Sequence, residues 1–117
     1  MKKFALTIGE RLIAKRMLNN AGKNLSLDGI RTAMKLLDKL EITLEEFKKA
    51  EHDVDPKTNR QKWNEEGSEK DIELSDDQHK SLMGFIDDAD KKKEFSIDEG
   101  ALLLSLVDKL NGEKKNG

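Results

Sequence analysis

No cysteine occurs in the 117 residues. Disulfides, zinc–thiolate sites and cysteine nucleophiles are thereby excluded. Tyrosine is absent too, and aromatic residues make up only 4%. The core must therefore come from Leu, Ile, Met and Ala, with Phe4, Phe47, Phe85, Phe95 and Trp63 as its large pieces. Two histidines, His52 and His79, leave little room for a histidine-based metal or catalytic site. No apolar run approaches the roughly 20 residues that cross a bilayer, so no membrane contact is expected. Residues 1–10 carry two lysines like a signal peptide, but Thr7, Gly9 and Glu10 break the short apolar stretch behind them. The location expected is the cytoplasm, and the general character suits a phage- or mobile-element-encoded protein.

What is present is charge in blocks and apolar residues in register. Charged residues make up 39% and apolar residues 35%, which calls for a densely charged surface around one modest core. The apolar residues are periodic, unlike those of a disordered chain. Residues 1–40 hold nine basic and three acidic residues; residues 41–117 hold thirteen basic and twenty-one acidic. Opposite potentials at the two ends could steer a partner or another copy of the chain.

The chain reads as two copies of one unit. Residues 4–7 match 72–75, and 17–23 match 85–91 at the same offset of 68 positions. After a two-residue insertion, 25–28 match 95–98 and 36–40 match 106–110. Helix starts are written as capping boxes at Thr7/Glu10, Thr43/Glu46, Ser75/Gln78 and Ser96/Glu99, with Ser26 as a further N-cap. The spacing predicts helices over 8–20, 27–40, 44–51, 76–88 and 97–110. In the second of these, Leu27, Ile30, Ala33, Met34, Leu37 and Leu40 are expected inward. The fifth is apolar over most of its circumference, which points to a central position or a partner. Between the copies lies a turn-rich insert around the sole proline, Pro56. A hairpin of 62–64 with 71–74 across Gly67 is expected there, and strand 4–6 is expected beside 72–74.

The fold expected is mainly α. Two (short strand)–helix–loop–helix units, 4–40 and 72–110, are joined by a helix and insert over 41–71. They form one domain to residue 110, followed by a flexible tail, 111–117.

Asp88, Asp90, Phe95, Ser96 and Glu99 stand at the first, third, eighth, ninth and twelfth places of a twelve-residue segment between two helices. That segment resembles the calcium loop of the EF-hand family. The resemblance covers only this segment and its flanking helices, and it implies calcium ligation by Asp88, Asp90 and Glu99. Lys92 and Lys93 depart from the pattern, where an oxygen ligand and a glycine belong. The plainer explanation of the same residues is a capped helix, through Ser96 and Glu99, beside solvated aspartates.

Arg11, Lys15 and Arg16 concentrate basic charge on the first helix and are candidate partner contacts. No aromatic residues are interleaved for base stacking, and the second helix offers few groups to read bases, so nucleic acid is a third choice. Trp63 is either a core plug or a partner anchor. His79 is expected at the surface. His52 lies near Glu51, Asp53 and Asp55, but no phosphate loop, nucleophile elbow or paired-histidine motif accompanies it. The expected function is a non-catalytic protein–protein interaction or assembly module, self-association included, without a cofactor. A degenerate EF-hand-like cation-binding protein is the alternative.

Overall fold

A computed structural model of the chain describes residues 2–20, 25–92 and 95–112. Among them are five helices and two small antiparallel sheets, in the order β1 (Lys2–Leu6), α1 (Ile8–Asn20), α2 (Leu27–Lys39), α3 (Leu44–Lys49), β2 (Asp53–Val54), β3 (Gln61–Lys62), β4 (Lys70–Leu74), α4 (Asp76–Lys92) and α5 (Ile97–Leu110). The fold is mainly α, and no helix of the described residues is long and apolar enough to cross a membrane.

Strands β1 and β4 alternate identically. Each points its third and fifth residues inward, Phe4 and Leu6 in one, Ile72 and Leu74 in the other. A period of two puts those residues on one face of the ribbon. The strands pair antiparallel, with Phe4 opposite Ile72. This pairing takes the 71–74 segment away from the hairpin expected for it. Gln61–Lys62 pairs with Asp53–Val54 instead. These two short strands are exposed and gain nothing from a core partner. A turn joins them, held by the Asn59 amide donating to the Asp55 carbonyl at 2.8 Å.

The caps close as their residue types dictate. Ser26 accepts from the Gly29 amide at 3.1 Å. Reciprocal boxes form at Thr43/Glu46 and Ser96/Glu99. Thr7/Glu10 and Ser75/Gln78 make the same pair of bonds. Each such cap contributes about 1 kcal/mol. Helix α4 runs on to Lys92, four residues past its expected end, and α3 stops two residues early, where Glu51 takes a positive φ of 55°. The expected tail beyond residue 112 lies outside the described residues, as do Ala21 and Lys23.

The central helix is α1, not α5. Between Ile8 and Leu18 it buries Ile8, Ile13, Ala14, Met17 and Leu18, together with the charged Glu10 and Arg11. Its high charge hid this in the sequence, because burial there depends on partners supplied from far along the chain. Helix α5 buries Leu103, Leu106 and Leu110 and leaves Leu104 outside. It packs chiefly on α1, while α2 leans on α4. The second helix of each half therefore rests on the first helix of the other half. The main core joins Phe4, Leu6, Leu36, Leu74, Leu82 and Leu106. Fully burying each such side chain is worth about 1.5–3 kcal/mol. A second cluster of Ile8, Ile42 and Ala50 is covered by Leu12, Phe47 and Trp63.

Candidate interaction surface

The charged groups of the interior are consumed by one another. The Arg11 guanidinium is fully buried. It pairs with Glu46 at 2.5 Å and donates to the carbonyls of Ser68 at 3.1 Å and Glu41 at 3.4 Å. Burial disfavours charge on Glu46. The hydrogen bonds from Arg11 and the Thr43 amide outweigh this and hold its carboxyl below the ordinary glutamate value. Lys70 stands 3.7 Å from the same carboxylate. Glu10, the residue before Arg11 in α1, accepts from Ser105 Oγ at 2.5 Å and from Lys109 Nζ at 2.7 Å. Burial again opposes its charge, and again the bonds prevail: its carboxyl is held low. Burial likewise opposes the Lys109 ammonium, but Glu10 and Glu69 raise its pKa above the ordinary lysine value.

The insert reaches the same place. Glu65 accepts from the Gly9 amide at 2.7 Å and from Trp63 Nε1, while Ser68 Oγ accepts from the Ile8 amide at 3.2 Å. With the Glu10 amide taken by the Thr7 hydroxyl at 3.2 Å, the first turn of α1 is fully capped, its Ile8 and Gly9 amides by groups remote in sequence. A Cβ at Gly9 would come within 2.8 Å of a Leu102 methyl and 2.9 Å of the Glu65 carboxylate, so a larger residue there would push aside the ends of these two side chains, Glu65 away from the amide it caps. Among the described residues, no buried side-chain nitrogen or oxygen lacks a partner.

The residues singled out in the sequence are dispersed. Arg11, expected on the exposed basic face, is interior, because its turn of α1 lies beneath the insert. Lys15 is half-buried and pairs with the exposed Glu41 at 3.5 Å. Arg16 pairs with Glu99. Trp63 is half-buried over the second cluster. His79, expected at the surface, is half-buried: its ring stacks on Phe4 at 5.4 Å and donates through Nε2 to the Leu110 carbonyl at 2.6 Å. Asp88 and Asp90 are exposed on the helical part of α4, while Glu99 belongs to the α5 cap. Among the described residues, no group of three or more acidic or histidine side chains is placed to hold a metal ion.

The largest departure from expectation is on α2. Leu27, Ile30 and Met34 face outward, with Leu27 81% and Met34 61% exposed. Only Ala33, Leu36 and Leu40 are fully packed beneath the helix, since α2 lies at the margin and meets the rest along one side. Helix α5 does the same with Ile97, 91% exposed, and Leu104, 67% exposed. Beside Leu104 runs a groove of about 250 Å³ between α4 and α5, floored by Met83, Ile86, Phe95, Leu103 and Val107. The signal was available in the sequence: the apolar arc of each helix is wider than a single packed face needs.

No protein-family model, curated protein or solved structure matches the chain.

Proposed function

We propose that this chain is a non-catalytic protein-interaction or assembly module of the cytoplasm, working through the exposed apolar faces of α2 and of the α4/α5 groove. The observation that carries the reading is the outward stripe of Leu27, Ile30 and Met34. Scattered surface leucines are ordinary, but three apolar residues at helical spacing form a contiguous patch of the kind that partners cover. The interior charges support the reading from the other side, being tied to one another as structural groups.

We also read the chain as two diverged copies of a strand–helix–loop–helix unit. The matched burial of β1 and β4 supports this, as do the equivalent caps. So do the outward stripes, in which Leu27 and Met34 correspond to Ile97 and Leu104.

Capture from the native cell tests the function. Immobilised wild-type protein is expected to retain protein, either another chain or further copies, that the Met34→Asp/Leu104→Asp variant releases. Equal recovery by both, or recovery by neither, contradicts the reading.

A further inference from the structure

Helix α2 has two sides. Asp28, Gly29 and Thr32 face Ser81, Gly84 and Phe85 of α4 across a shallow gap. At 3.6 residues per turn, Leu27, Ile30 and Met34 fall on the opposite side of α2. The same geometry divides α4, whose Met83, Ile86, Asp87 and Asp90 line the α5 groove and point away from α2. Stripe and groove therefore look in different directions. One copy cannot seat its own stripe in its own groove.

The two surfaces are also complementary. Arg31 stands one turn from both Leu27 and Met34, with Lys35 following it, and both are exposed. Asp28, 3.9 Å from Arg31, and Asp38 are the acidic groups on the same helix. The groove carries Asp87 and Asp90, and among the described residues no cation lines it. In shape, Ile30 and Met34 project from the stripe, whereas Gly100 leaves the groove open: a Cβ there would meet nothing within 4 Å.

Resting on the interaction reading above, we propose that the occupant of the α4/α5 groove is α2 of a second copy of this chain. The apolar stripe fills the groove, and Arg31 and Lys35 meet Asp87 and Asp90 at its rim. Such a contact joins two different surfaces. Each added copy leaves its own stripe or groove free, so copies add head to tail past two, and growth ends only if a ring of three or more copies closes. The apolar centre supplies the affinity and the rim charges fix the orientation.

Sedimentation of the full chain tests this with two variants, Met34→Asp and Leu104→Asp, both at exposed positions. The wild type is expected to gain mass with concentration past two copies, and to lose it as salt screens the rim. Each variant by itself is expected to be monomeric, with association weakened by about a hundredfold or more, because the new carboxylate meets an apolar or acidic surface. Mixed, the two should form a 1:1 complex and stop, since the groove of Met34→Asp and the stripe of Leu104→Asp are intact. That rescue also shows that both variants fold. A wild type that stays monomeric, a mass that halts at two copies, or a mixture that stays monomeric overturns the proposal. If the wild type is monomeric yet captures another protein that Met34→Asp/Leu104→Asp releases, self-assembly fails while the broader reading stands.

Discussion

Lys39 and Lys109 reach across the molecule in opposite directions and make the same pair of bonds. From the end of α2, Lys39 Nζ donates to the Glu73 carbonyl and to Gln78 Oε1, both at 2.7 Å. From the end of α5, Lys109 Nζ donates to the Ala5 carbonyl and to Glu10 Oε1, also both at 2.7 Å. Each lysine grips the strand and the capping box of the other half. The two halves are thereby locked at the points where their strands turn into helices.

The two clamps differ in what they leave behind when cut. Lys109→Met strands the buried Glu10 carboxylate with Ser105 as its remaining side-chain donor, and is expected to cost about 2–4 kcal/mol. Lys39→Met leaves only neutral acceptors, the Gln78 amide oxygen and the Glu73 carbonyl, and is expected to cost about 1 kcal/mol. Urea denaturation of the two variants checks the ranking. Equal losses would contradict it.

Acid stability follows from the same contacts. Glu10 and Glu46 have carboxyls held below the ordinary glutamate value, so the stability they contribute is present above that value. It is lost as pH falls from the ordinary glutamate range through the lower folded pKa. Lys109 has the opposite sense. Its contribution is complete below the ordinary lysine value and lost as pH rises through the higher folded one. Glu10→Gln is expected to flatten the acid limb of a stability–pH curve and leave a shallower slope from Glu46. An unchanged acid limb would contradict the assignment.

Arg11 is the costliest single charge to remove. Arg11→Ala leaves Glu46 with the more distant Lys70 and opens a cavity, for an expected loss of about 3–5 kcal/mol. That is a large fraction of what a domain of this size possesses. Adding Glu46→Ala should restore part of the loss, because the stranded carboxylate is gone. Thermal melting of the single and double variants measures the coupling.

The EF-hand resemblance has its own check. Asp88 and Asp90 point to solvent from α4, and Glu99 is occupied by its cap and by Arg16. Asp88→Ala/Asp90→Ala is expected to melt within about 0.5 kcal/mol of wild type, with or without added calcium. A calcium-dependent rise in wild-type melting that this variant abolishes would instead support the ligation the resemblance implies.

Local chemistry was legible in the sequence; long-range partnership was not. Five caps, the inward alternation of Phe4/Leu6 and Ile72/Leu74, and the pairing of those strands follow from residue type and period. The sequence could not reveal that Arg11 and Glu10 are interior. Their burial is tolerable only because Glu46, Ser105 and Lys109 arrive from 35 to 99 positions away. Nor did it place α5 against α1, since both its inner and outer faces are leucine. For the candidate surface, periodicity grouped Leu27, Ile30 and Met34 with Ala33, Leu37 and Leu40 as one inward face of α2, and the structure leaves the edge carrying Leu27, Ile30 and Met34 exposed. Periodicity could not say that this edge has nothing to pack against, because the missing neighbour is a property of the assembled helices.

The most direct test of the central claim is photo-crosslinking from position 34. A photo-reactive methionine analogue in place of Met34, irradiated in the native cell and analysed by mass spectrometry, is expected to join α2 to protein. Peptides spanning the α4/α5 groove of a second copy are expected to lead. Products no more abundant than those from a probe placed in the exposed turn at Lys57 would contradict the claim that this face is where the protein works.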